Sequence, residues 1–230
     1  MYKYELHLHT SEVSRCARTS AADMVDFYKS VGYTGVFITD HFFNGNTTVD
    51  TKQSWSKMIS YYMVGYNNAK KRGDEIGLDV FFGFEYSYHG TDVLVYGLDE
   101  KWLLQHPFIM QMRTTEFCDY ARSEGALVIH AHPYREATYI NMIRLFPRNV
   151  DGVEVYNACR TDFENERAKE FADNYNLLYS AGTDNHIGLR EWIGGMEFKE
   201  KIKDEKDMVE KIKSKQGNIF KIDCTQLMNK

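Results

Sequence analysis

The sequence predicts an α/β fold built on a largely parallel sheet, and two observations carry that reading. Short β-prone runs recur along the chain, several of them near-continuously apolar, such as Val36-Phe37-Ile38 and Ala126-Leu127-Val128-Ile129. Strands buried on both faces have that composition, because helices cover a parallel sheet on each side. Amphipathic segments of helical period fill most of the intervals between the runs. About seven or eight βα units in such a chain suit either a barrel or a doubly wound sheet.

Strands are predicted over 4–9, 35–39, 80–85, 93–97, 126–130, 152–156, 177–181 and 193–198. Ser20 caps a helix carrying Met24, Phe27, Tyr28 and Val31, which Gly32 stops. Trp55, Met58, Ile59, Tyr62 and Tyr66 mark a longer helix ending near Gly73, and Phe117, Tyr120 and Ala121 a shorter one before Gly125. Thr161 and Glu164 form a capping box ahead of Ala168, Phe171, Ala172 and Tyr175. Met208, Val209 and Ile212 define a last helix between Asp204 and Gly217. These apolar stripes are core faces, given their helical spacing.

Composition narrows the class further. The chain has 230 residues, 43% hydrophobic and 27% charged, with 3 Pro and 16 Gly, which excludes a disordered or collagen-like protein. No linker, repeat or low-complexity tract divides it, so one domain is expected over 1–230. A net charge of -5 lacks the basic footprint of a nucleic-acid binder. The N-terminus alternates charge instead of presenting an apolar signal region, and no run reaches the ~18 apolar residues of a membrane span. The 4 Cys are widely spaced without a C-x-x-C pair, consistent with free thiols in a reducing compartment. A cytoplasmic location is the expectation.

The chemistry concentrates where apolar runs end. His7-x-His9 closes the first, Thr39-Asp40-His41 the second and Gly83-Phe84-Glu85 the third; His130-Ala131-His132-Pro133 and Gly182-Thr183-Asp184-Asn185-His186 close two later ones. In a βα barrel those ends converge on one rim, where active sites sit. Imidazole and carboxylate donors without thiolate suit Zn²⁺, Mn²⁺ or Fe.

This ordered set, with Arg135 after the His132-Pro133 pair, resembles the PHP (polymerase and histidinol phosphatase) family over residues 7–186. The resemblance implies a distorted (β/α)7 TIM-like barrel holding two or three divalent metal ions (Zn, Mn or Fe) at its C-terminal rim. It also implies a phosphoesterase, hydrolysing its substrate with a metal-bound hydroxide at a di- or trinuclear site. Carried over by motif, His7, His9, Glu85 and Asp184 match the ligands of one metal. Glu85 bridges to a second, which His132 also binds, and His41 and His186 match ligands of a third. Asp40 belongs to the same set as a neighbour that orients the site. Asp184, His186 and Arg135 are the expected catalytic residues.

Two positions depart from the pattern. Relatives complete the third metal from the loop after His-x-His; here that loop reads Ser11-Glu12-Val13-Ser14-Arg15-Cys16, so Glu12 is the expected substitute and Cys16 the second choice. Relatives also place a His in the strand after the Glu, where this chain has Leu94. His130, which shares a strand face with His132, ranks first to fill that place, ahead of His89 and Asp92.

Arg135, Arg160 and Arg190 follow rim strands and are expected to hold substrate phosphate, since a guanidinium fork matches phosphate oxygens. A surface salt bridge explains each of them singly as well. The acidic balance favours a small phosphomonoester over long nucleic acid. Tyr86, Tyr88, Tyr134 and Tyr139 fall in rim loops, where they could stack on a base or sugar or simply pack. Two other functions compete: an amidohydrolase-type metal hydrolase, which also opens with His-x-His but bridges its metals with a Lys, and a non-catalytic metal-stabilised PHP module.

Overall fold

The computed structural model describes residues 1–88 and 90–228. Nine strands form one sheet in the order β7-β6-β5-β4-β3-β2-β1-β8-β9. The strands are β1 (Tyr2–Leu8), β2 (Gly35–Ile38), β3 (Asp79–Tyr88), β4 (Thr91–Tyr96), β5 (Leu127–Ala131), β6 (Gly152–Asn157), β7 (Leu178–Gly182), β8 (Trp192–Phe198) and β9 (Asn218–Asp223). The sheet curls until β7 returns to β1, which makes a distorted (β/α)7 barrel of β1 to β7. Backbone bonds close it at the rim: Asp184 N donates to His7 O (3.0 Å) and His9 N to Asn185 O (3.0 Å). A Cβ on Gly182 would lie 2.6 Å from that of His7, so this close approach needs glycine.

Helices cover the outside: α1 (Ala21–Ser30), α2 (Trp55–Ile76), α3 (Glu100–Gln105), α4 (Thr114–Ser123), α5 (Asp162–Tyr175), α6 (Glu205–Lys213) and the short α7 (Thr225–Met228). Ser20 caps α1 through Asp23 N, and Thr161 with Glu164 closes the capping box of α5. Helix α2 runs past Gly73 and stops at Gly77, whose φ of 72° provides the left-handed turn. The barrel interior is apolar, with Phe37, Phe81, Leu94, Tyr96, Leu127 and Ile129 packed together and Met208, Val209 and Ile212 of α6 against them. No helix among the described residues is long and apolar enough to cross a membrane.

Three features differ from strict βα alternation. β4 is antiparallel to both β3 and β5, because β3 extends to Tyr88 and leaves room only for a hairpin turn, too short for a crossover. β8 is antiparallel to β1, and β9, which the sequence pattern did not reveal, pairs with β8 beyond the barrel. β9 is half exposed on an edge and so lacks the continuous apolar run that marks the buried strands.

Candidate metal centre at the barrel rim

The six parallel barrel strands end at one rim, and each ligand-type side chain arrives there by its own route. His7 lies in β1 and His9 just after it, across a register shift between Glu5 and Leu8. His41 follows β2, Glu85 lies in β3, and Asp184 and His186 follow β7. His132 follows β5 with φ of 27°, and Asp184 has φ of 58°. Left-handed backbone at such residues costs about 1–3 kcal/mol each and clusters at functional sites.

These side chains interlock. His7 Nε2 lies 3.4 Å from Glu85 Oε1 and 3.5 Å from Asp184 Oδ1. His9 Nε2 lies 3.6 Å from Glu85 Oε2 and 3.3 Å from Asp184 Oδ1. His132 Nε2 stands 3.4 Å from Glu85 Oε1 and 3.8 Å from Asp184 Oδ2, and His41 Nδ1 2.5 Å from Glu85 Oε2. Among the described residues, three groups have ligand atoms within 4.8 Å of one another: His7, His9 and Asp184; His7, Glu85 and His132; His9, His41 and His186. Glu85 and Asp184 thus each face more than one histidine.

The polar atoms turned to the middle of this cluster are unsatisfied. Nε2 of His7, His9 and His132 and Oε1 of Glu85 are buried without a hydrogen-bond partner, and His41 Nδ1 and Glu85 Oε2 have none besides each other. Buried polar groups are normally paired, and leaving one unpaired costs about 1–3 kcal/mol. Lone pairs converging from imidazoles and carboxylates are what a divalent cation requires, so the residues fit the metal group.

Away from the middle, the same side chains are well held. His7 Nδ1 donates to Glu154 Oε1 at 2.9 Å, and Glu154 also accepts from His132 N and Asn157 Nδ2. His9 Nδ1 meets Ser14 Oγ at 3.0 Å, and Ser14 Oγ donates to Asp40 Oδ1 at 2.7 Å. Asp40 further accepts from Thr10 N and Thr10 Oγ1. Partners of this kind fix ring orientation and tautomer.

The charges reinforce one another. Burial disfavours the charged form of His7, but Glu154 and Asp184 outweigh it and raise the ring well above its ordinary value. Burial likewise opposes protonation of His41, and Glu85 overcomes it. Burial would push Glu85 up, yet His41, His132 and His7 hold its carboxyl well below the usual range. His9 goes the other way, lowered by burial and by His186 and His41.

The expected residues divide into those the structure brings to the cluster and those it does not. His7, His9, His41, Glu85, His132, Asp184 and His186 are together. Asp40 lies behind Ser14 and orients the first loop, without joining a ligand group. Glu12 is a correction: its carboxylate accepts from Ala21 N at 3.1 and 3.0 Å and from Asn68 Nδ2, so it caps α1. Cys16, the second choice for that role, lines the same cavity as His41 and His186.

His130 is the other correction. It pairs with Val93 on the outer face of β5, stacks on Phe146 at 5.3 Å and has both ring nitrogens unpartnered; burial, with His132 adding to it, pushes it down to about 3. The period-two argument failed because the strand ends at Ala131 and the backbone turn at His132 reverses that side chain. The residue near His132 is Asp92, with Oδ2 3.9 Å from its Nε2. Because β4 runs antiparallel, its second residue lies at the rim, while Leu94 pairs with Glu85 one step deeper. His89 lies outside the described residues.

Glu154 was missed. Its signal was a carboxylate inside the apolar run Gly152-Val153-Glu154-Val155, a place where unpaired acids are almost never found. Val153 and Val155 face α5, which leaves Glu154 on the inner side.

A cavity of about 830 Å³ opens over the cluster, lined by His41, Asp184, His186, Arg135, Arg160 and Arg190 among others. Nε of each of these three arginines is buried without a hydrogen-bond partner. Arg135 Nη1 stands 3.7 Å from Asp92, and Arg160 Nη1 4.0 Å from Glu164. Tyr139 lines the cavity and bonds Arg135. Tyr86 stacks on Phe117 in the core, Tyr134 packs on Phe171, and exposed Tyr88 lies at the end of β3.

Fold and rim together define an α/β barrel with a clustered His, Glu and Asp site able to hold metal. No family model matches the chain, and no curated protein matches it. Among solved structures it is similar to a Bacteroides vulgatus two-domain protein containing a predicted PHP-like metal-dependent phosphoesterase (TM-score 0.67, 13% identity, 95% of this chain and 64% of that one). It is similar to a Bifidobacterium adolescentis protein named as a metal-dependent phosphoesterase (0.54, 16%, 80% and 88%). It is also similar to a Chromobacterium violaceum amidohydrolase with bound sulfate and no metal (0.55, 14%, 80% and 88%). The chain spans 64% of the length of the Bacteroides protein. At these identities the likeness is one of fold: the chain has the TIM-like barrel of PHP-type proteins.

Proposed function

We propose that this protein is a metal-dependent phosphoesterase acting on a small phosphomonoester. The observation that carries this reading is the set of buried donors of His7, His9, His41, Glu85 and His132, which have no hydrogen-bond partner outside the set, beneath a cavity bearing Arg135, Arg160 and Arg190. His7, His9, Glu85 and Asp184 would hold one cation, Glu85 and His132 with Asp92 a second, and His41 with His186 a third. Two or three divalent cations there would activate water and neutralise phosphoryl charge.

The chain's own residues supply the rest. Glu154 holds His7 with Nε2 free, and Ser14 holds His9 in the same way. Asp184 faces His9 with Oδ1 and His132 with Oδ2, which ties the two sides of the centre together. The arginines present guanidinium groups matched to the oxygens of a phosphate, a tetrahedral dianion. The Chromobacterium amidohydrolase, with its bound sulfate, holds an anion of that same shape.

The test is hydrolysis of p-nitrophenyl phosphate with Mn²⁺ or Zn²⁺, with and without chelator, beside p-nitrophenyl acetate and an anilide. Chelator-sensitive phosphate release is the expected result. Cleavage of the ester or anilide alone would identify an amidohydrolase-type enzyme, and full metal loading without turnover a metal-stabilised module.

A further inference from the structure

The cavity over the cluster is charged unevenly. Arg135 follows β5, Arg160 follows β6, Arg190 follows β7 and Arg18 follows β1, and all four line it. Those strands are consecutive around the barrel, because β5, β6 and β7 are neighbours in the sheet and the seam joins β7 to β1. The loop after β2 and the end of β3 contribute the amides of Asn44 and Asn46 and the hydroxyl of Ser87, with no arginine or lysine. Among the described residues that line the cavity, Asp92 and Asp184 are the only carboxylates.

The four arginines differ in their company. Arg135 Nη1 lies 3.7 Å from Asp92, and Arg160 Nη1 lies 4.0 Å from Glu164. Arg18 and Arg190 form no ion pair among the described residues, and Arg190 Nε is buried without a hydrogen-bond partner. These two share one corner. Arg18 N donates to His186 O at 2.8 Å, in the same loop as Arg190, and a Cβ on Gly188 would lie 3.7 Å from Thr19 beside Arg18.

A phosphomonoester offers this wall one dianion. Adjacent strands lie about 4.8 Å apart, so arginines on four consecutive loops are rooted over roughly 14 Å of rim. Serving one phosphoryl group, they would crowd like charges together with few carboxylates to offset them, and bound cations would add to the excess. Spread along the wall, they match an anion at each end, since a guanidinium fork fits carboxylate and phosphate alike. A cleft lined by one sign of charge also concentrates ligands of the other sign.

We propose that the substrate is a phosphomonoester carrying a second anionic group, which Arg18 and Arg190 bind while Arg135 and Arg160 face the scissile phosphate. The inference rests on the phosphoesterase reading and narrows it to esters that are anionic at both ends. Carboxylate and phosphate present similar paired oxygens to a guanidinium, and the experiment separates them.

Aryl phosphates of one skeleton make the test: phenyl phosphate, 4-carboxyphenyl phosphate, the methyl ester of the latter, and 1,4-phenylene bisphosphate. With metal-loaded protein, at least one of the two esters bearing a second anion should show kcat/KM about 10–100-fold above phenyl phosphate and the methyl ester, mainly through KM, as suits hydrogen bonds to a charged group. Whichever of the two is preferred identifies the second group. Arg18→Gln should erase the preference by raising KM for that ester to the phenyl phosphate value; because Arg18 is exposed, its replacement leaves the core untouched. Arg15→Gln, in the same loop but off the cavity wall, should keep the preference. Equal turnover of all the esters, or a preference that survives Arg18→Gln, would overturn the second anion site and leave the phosphoesterase standing. No phosphate release from any of them, nor from p-nitrophenyl phosphate, would overturn both.

Discussion

The interior of the barrel and its rim are built from the same strands but satisfy their buried groups by opposite means. Deeper in the barrel, Tyr96 OH donates to Leu6 O at 2.7 Å, and Glu5 accepts from His7 N, Thr183 N and Tyr28 OH. At the rim, a few ångströms above, Glu85 and the facing imidazoles keep unpartnered atoms. Stability and activity should accordingly separate between them.

The largest expected effect is at the rim. If the proposed centre operates, Asp184→Asn should lower kcat by about 10³-fold, since it removes a charge facing several histidines of the cluster and cation stabilisation amounts to several kcal/mol. Metal analysis of the purified variant should show a matching deficit; full occupancy with full activity would break the contrast. Leu127→Ala tests the interior. It should cost about 2–5 kcal/mol in denaturant unfolding while kcat per folded molecule stays unchanged. Inactivation of a still-folded Leu127→Ala protein would show that the two regions are not separable.

A smaller effect is expected one contact out. Glu154→Gln should weaken metal affinity or activity about 10–100-fold, because it loosens His7 without removing a ligand. Smaller still is a pH effect. Acidic partners raise His7 and His41 above the ordinary histidine value, so both rings hold protons at neutral pH until a cation displaces them. Zn²⁺ binding should release protons and weaken as pH falls. Calorimetry in buffers of different ionisation heat measures the release; buffer-independent heats would argue that the rings bind already neutral. Arg135→Ala should raise KM for a phosphomonoester with metal content intact, and an unchanged KM would remove it from the substrate site.

Much of this was readable before folding. The apolar runs ending in His7-x-His9, His41, Glu85 and Asp184 located most of the rim, since strand ends in a barrel converge whatever the loops do. What escaped depended on events that residue periods do not encode. A two-fold period put His130 beside His132, but the turn at His132 sent them apart. A βα rhythm implied a parallel strand after β3, whereas a hairpin reversed β4 and brought Asp92 to the rim in place of Leu94. Glu12 and Cys16 lie four residues apart in one loop, and only its bonds to Asn46, His186 and Ala21 decide which of them lines the cavity.

The seam between β7 and β1 has a consequence for motion. The barrel closes there through Asp184, Asn185, His7 and His9 backbone, and three of those four residues also carry ligand-type side chains. Any local opening of the seam pulls the ligand set apart, and any cation that grips the set resists that opening by mass action. A bound cation would therefore act as a rivet on the wall: amides of Asp184 and His9 should be the ones whose hydrogen exchange slows most on loading, ahead of amides in the antiparallel β8–β9 pair.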